Sequence, residues 1–112
     1  MNYRELAELA WEFAQGEREK LRALLTSQGK EVREEEEEIP YPLPGAGQKR
    51  KVWTVRFSSG EKYRVRLEAN ALEALGDIVI ALHGVLGPLQ LRKTYTKAFG
   101  LLGTWMRLSC KK

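Results

Sequence analysis

The chain of 112 residues is short of the residues on which most chemistry depends. His83 is the only histidine, Cys110 the only cysteine and Asp77 the only aspartate. One cysteine excludes an internal disulfide, and with no export-type start in residues 1–30 the expected setting is a reducing, cytoplasmic one. Clustered His, Cys or Asp at ligand spacing is absent, so no metal or other cofactor is expected. No apolar run reaches the roughly 18 residues that a membrane span needs. Asparagine occurs only at positions 2 and 70, which with the charge-rich composition resembles a thermophilic pattern.

What the chain has is charge, unevenly placed. Residues 1–48 carry 6 Lys/Arg against 11 Glu, a balance of −5, whereas residues 49–112 carry 13 Lys/Arg against 4 acids, a balance of +9. A basic half this small attracts phosphates or an acidic protein.

Three segments follow from patterning. Residues 1–27 start with Asn2 and Glu5 in capping positions and continue with Leu6, Leu9, Ala10, Phe13, Leu21, Leu24 and Leu25 at helical spacing, which predicts one amphipathic helix with Gly16 as a weak point. Residues 28–50 read as an acidic, proline-rich linker: Glu34 to Glu38 repel one another, and Pro40, Pro42 and Pro44 favour an extended path. Such a segment is a solvated connection, an acidic strap over the basic half, or a docking peptide presenting Tyr41 and Leu43. Residues 51–112 read as a basic ββαββ core.

In residues 51–69 one parity carries Trp53, Val55, Phe57, Tyr63, Val65 and Leu67, and the other carries Arg56, Lys62, Arg64 and Arg66. Only an odd-length loop keeps the two faces separate. A three-residue turn Ser58-Ser59-Gly60 fits, with Gly60 left-handed, Val55 opposite Tyr63 and Arg56 opposite Lys62. Asn70 and Glu73 then open a helix running to His83 and stopped by Gly84, apolar enough to need cover on more than one side, from the first helix or a second subunit of a homodimer. After Pro88, alternation of Leu89 and Leu91, and of Leu102, Met106 and Leu108, predicts a second hairpin turning near Phe99-Gly100. The expected fold is α+β: helix–hairpin–helix–hairpin, with a four-stranded, mostly antiparallel sheet packed against two helices.

Catalysis finds little support. His83 suits the end of a helix, Cys110 has no histidine positioned to activate it, and the glycines of residues 84–87 match no phosphate-binding pattern, so the chain is read as not an enzyme. The feature that remains is a basic sheet face of Arg56, Lys62, Arg64, Arg66, Arg92 and Arg107 with Trp105 among them. Arginines neutralise phosphates and an aromatic stacks on an unpaired base, so the leading expectation is a small single-stranded DNA- or RNA-binding protein. The competing expectations are a non-catalytic interaction module or regulatory subunit with an acidic protein partner, and a plain solvated face. A solvated face should alternate signs, and these strands lack the compensating Glu.

Overall fold

The computed structural model describes residues 1–38, 49–83 and 88–109. Four helices, α1 (Tyr3–Ala14), α2 (Glu19–Ser27), α3 (Ala71–Ala81) and α4 (Pro88–Ser109), accompany three strands, β1 (Glu31–Glu38), β2 (Lys49–Arg56) and β3 (Lys62–Arg66). The strands form one antiparallel sheet in the order β1-β2-β3. The α+β class is therefore as read from the sequence, but among the described residues the sheet has three strands rather than four and the helices number four rather than two.

The central hairpin follows its parity. Val55 faces Tyr63, Trp53 faces Val65 and Arg56 faces Lys62. Gly60 takes φ +93° and its N–H donates to Phe57 O at 2.9 Å, while Phe57 N–H donates to Glu61 O at 2.8 Å. A side chain that had to sit at positive φ would be strained, so glycine makes this turn cheap. α3 likewise starts as its capping box dictates: Asn70 accepts from Glu73 N–H at 2.9 Å and Glu73 accepts from Asn70 N–H at 3.3 Å.

Three expectations are corrected. The first helix is two helices. Gly16 adopts φ +93°, its N–H reaches Phe13 O at 3.1 Å, and Glu17 N–H reaches Glu12 O at 2.9 Å. That paired closure is the glycine-dependent helix stop, so Gly16 ends α1 instead of weakening it. Gly29, at φ +76°, closes α2 in the same way, with Lys30 N–H on Leu25 O at 3.0 Å.

The second correction concerns residues 28–50. Glu31–Glu38 is not a linker but β1, paired along its full length with β2. Every glutamate of the run except Glu34 and Glu35 faces a Lys or Arg in register: Glu36 faces Lys51, Glu37 faces Arg50 and Glu38 faces Lys49. Poor strand propensity is overridden by opposite charge on the neighbouring strand. The proline-rich residues 39–48, with Tyr41 and Leu43, lie outside the described residues.

The third is that residues 88–109 form α4 rather than a hairpin. Pro88 opens it, where a missing N–H is harmless. Leu91, Thr94, Ala98 and Leu102 are buried, and Tyr95, Leu101, Trp105 and Met106 are half-buried, a spacing of three and four that only a helix converts into one face. Phe99 and Gly100, expected in a turn, sit in mid-helix.

The sheet's inner face presents Trp53, Val55, Val65 and Leu67 to a core that also takes in Leu6, Phe13, Leu21, Leu25, Leu75, Ile78 and Leu102. Phe13 meets Trp53 edge-on at 5.3 Å. α3 packs against β3, α1 and α4, which supplies from within the chain the cover that its composition demands. Lys30 closes α3's far end, donating to Ala81 O at 2.6 Å and His83 O at 2.8 Å beside the Phe57 ring at 4.2 Å, and burial there lowers its pKa.

Candidate nucleic-acid interface

The seven residues expected on one sheet face divide between two surfaces. Arg56, Lys62, Arg64 and Arg66 do lie on the outer sheet face, because their register partners place them with Arg50, Val52 and Thr54 of β2. The same register adds Glu31, Arg33, Glu35 and Glu37 of β1 to that face. The missing acids are thus supplied by the neighbouring strand, and the signs alternate.

The pairing is direct. Glu37 accepts from Arg50 Nε and from Arg64 Nε, each at 2.7 Å, and Arg33 pairs with Glu31 at 2.9 Å. Arg66 turns away from the face toward α3, where Asp77 lies 3.0 Å from its Nε and Glu73 lies 3.1 Å from its Nη1. The hydrogen bond to Asp77 is the main cause holding the Arg66 pKa above its ordinary value. Val52, flanked in register by Glu35 and Arg66, is only 1% exposed although it lies on this outer face, so the long charged side chains around it serve as cover. Among the described residues only Arg56 and Lys62, of the four expected cations on the sheet, have no ion pair.

Arg92, Trp105 and Arg107 stand on α4, which packs on α1 and α3. Trp105 is half-buried and meets Trp11 edge-on at 5.9 Å, so its ring is engaged inside the protein rather than offered to a base. Arg92 and Arg107 are exposed. Fifteen positions of helix set them about 22 Å apart along the axis at about 1.5 Å per residue.

Between them the outward face of α4 carries Lys93, Thr96, Lys97, Gly100 and Thr104, all exposed. Lys97 also lies 5.8 Å from the Tyr3 ring. The threonine hydroxyls donate back into the helix, Thr96 to Arg92 O at 3.0 Å and Thr104 to Gly100 O at 3.2 Å. Apart from α4's own backbone, no atom of the described residues lies within 4 Å of where a Cβ would stand on Gly100 or Gly103, so no packing among them demands either glycine.

Lys93 and Lys97 are exposed cations of this helix face that strand alternation places on the leucine side. The helical signal was present in the interval of four between Lys93 and Lys97 and of fifteen between Arg92 and Arg107. The charge imbalance also belongs here. Residues 88–112 hold 6 Lys/Arg and no acid, whereas residues 1–87 hold 13 Lys/Arg against 15 acids. The whole positive excess of the chain therefore comes from α4 and the residues after it.

His83 is exposed and follows α3 instead of ending it, and Cys110 lies outside the described residues. Among the described residues no three His, Cys, Asp or Glu side chains gather as a cation site, and no helix is long and apolar enough to cross a membrane. An open groove of about 630 Å³ lined by Trp11, Ala14, Gln15, Ala71, Met106 and Ser109 carries no titratable side chain. No protein-family model, curated protein or solved structure is significantly similar to this chain.

Proposed function

We propose that the protein is a non-catalytic nucleic-acid-binding module that grips a phosphate backbone through the outward face of α4. Arg92 and Arg107 keep the role expected of them, Lys93 and Lys97 join them, and Arg64 and Arg66 act in the fold. The observation that carries this reading is the uncompensated charge: four exposed cations on one helix with no acid in residues 88–112. Exposed cations without counterions release condensed ions when they meet phosphates, and that release drives association.

Binding of a fluorescein-labelled mixed-sequence DNA, measured by anisotropy between 50 and 200 mM salt, tests it. Four phosphate contacts predict a slope of log affinity against log salt of about −3 to −4, a loss of roughly 100-fold over that range. Absence of binding at 50 mM salt to single-stranded and double-stranded DNA and RNA alike would overturn the reading.

A second reading has one observation in its favour. Phe99 and Leu108 border the basic face and are 45% and 63% exposed, and an acidic protein partner would bury them whereas phosphates would not. Leu108→Ser should then weaken the protein complex and leave nucleic-acid affinity unchanged.

A further inference from the structure

We infer that the nucleic acid is B-form duplex DNA and that α4 seats in its major groove, a deepening that rests on the nucleic-acid reading above. α4 packs on α1 and α3 through its Leu91–Ala98–Leu102 face, and among the described residues no element packs on the opposite face. That free face is basic at its margins and ends, with Arg92, Lys93, Lys97 and Arg107, and carries no acid, so its charge is complementary to two phosphate strands flanking a groove. Its middle is short, made of Thr96, Gly100, Gly103 and Thr104. Long cations at the rim and short side chains at the centre let a helix backbone approach base edges while the rim reaches phosphates.

Dimensions agree. A helix of 22 residues is about 33 Å long, and a helix with side chains is about 10–12 Å across against a major groove about 12 Å wide. The two open-space glycines narrow α4 on the groove-facing side. The back-bonded Thr96 and Thr104 still present a hydroxyl lone pair and a methyl group, the two features that read an amino edge and a thymine methyl.

Single strands fit less well. They are held by successive exposed aromatic rings, but Trp53 is buried, Trp105 is engaged by Trp11 and Phe57 is stacked on Tyr63 at 5.0 Å, so among the described residues this face offers Phe99, 45% exposed and tilted against Tyr95 at 6.0 Å, and Tyr3 beside Lys97, rather than a row of free rings. Duplex RNA fits less well still, because its deep, narrow major groove does not admit a helix.

Three labelled ligands of one sequence decide the matter: a 20-base-pair DNA duplex, its single strand, and the matching RNA duplex, each titrated at 100 mM salt with the full chain. Expected is roughly tenfold or greater preference for the DNA duplex over both others. Gly100→Leu and Gly103→Leu enter open space, so circular dichroism and melting should show an intact fold, while duplex affinity drops by roughly tenfold or more. Equal or tighter binding of the single strand or RNA overturns the B-DNA inference and leaves the nucleic-acid reading standing. Unchanged duplex affinity in both folded leucine variants overturns the groove seat. If either leucine variant fails to fold, Thr96→Leu supplies the same test. Failure of all three ligands to bind removes the inference and the function together.

Discussion

Glu37 on β1 is shared by two arginines, Arg50 on the adjacent β2 and Arg64 on the far edge strand β3, each at 2.7 Å. One carboxylate thus ties all three strands together on the outer sheet face. The Arg64 side chain is 68% exposed, so its contact is screened and contributes within the range of surface pairs, about 0.2–1 kcal/mol, whereas the Arg50 contact is part-buried. Glu37→Gln should cost roughly 1 kcal/mol in urea unfolding at low salt, and that cost should shrink at 1 M salt. The same variant releases Arg50 and Arg64 from their partner. If the sheet face were the binding surface, nucleic-acid affinity would rise; with α4 as the surface it stays unchanged.

Asp77 secures the opposite edge of the sheet. It accepts from Arg66 N–H at 3.0 Å as well as from the Arg66 guanidinium, so the carboxylate satisfies a backbone donor that β3 would otherwise leave bare at its edge. Asp77→Ala removes charge-assisted bonds worth about 1.5–3 kcal/mol each before screening, and should lower stability by roughly 2 kcal/mol in the same assay. Asp77→Asn, which retains acceptor capacity, should cost less. Equal losses in the two variants would contradict the assignment.

Glycines in this chain have opposite signs of effect. Gly16 sits at φ +93° as the stop of α1, so Gly16→Ala should destabilise by about 1–2 kcal/mol. Gly100 lies in α4 with helical backbone, and an added Cβ would meet open space among the described residues, so Gly100→Ala should stabilise by up to about 1 kcal/mol. Thermal melts of the two variants should move in opposite directions, down and up.

Where one physical rule acted alone, the sequence was legible. The β2–β3 hairpin could be read to the residue because parity and a three-residue turn leave one register. The start of α3 was legible because Asn70 and Glu73 satisfy each other locally. β1 was hidden because five consecutive glutamates read as mutual repulsion until β2 brings Lys49, Arg50 and Lys51 opposite them, a non-local fact. α4 was hidden because Thr94, Tyr95, Thr96, Thr104 and Trp105 favour strands and two glycines imitate turns, while tertiary packing on α1 and α3 decides for the helix.

Of the seven residues expected to share one sheet face, four stand on the sheet and three on α4. Arg92 and Arg107 were singled out, but through a strand parity that joined them to Arg56, Lys62, Arg64 and Arg66. The helix separates the two groups, and β1 together with α3 supplies partners for Arg64 and Arg66. Trp105, expected to stack on a base, packs on Trp11.

The central claim is that phosphate binding resides on α4 and not on the sheet. Two double variants separate the surfaces without touching the core: Lys93→Gln with Lys97→Gln on α4, and Arg56→Gln with Lys62→Gln on the sheet, all four positions being exposed. Affinity for labelled DNA and its salt slope are measured for both beside the unmodified chain. The predicted result is a slope smaller by about 2 and an affinity at least tenfold weaker for the α4 pair, with the sheet pair close to unchanged. A loss confined to the sheet pair would contradict the account.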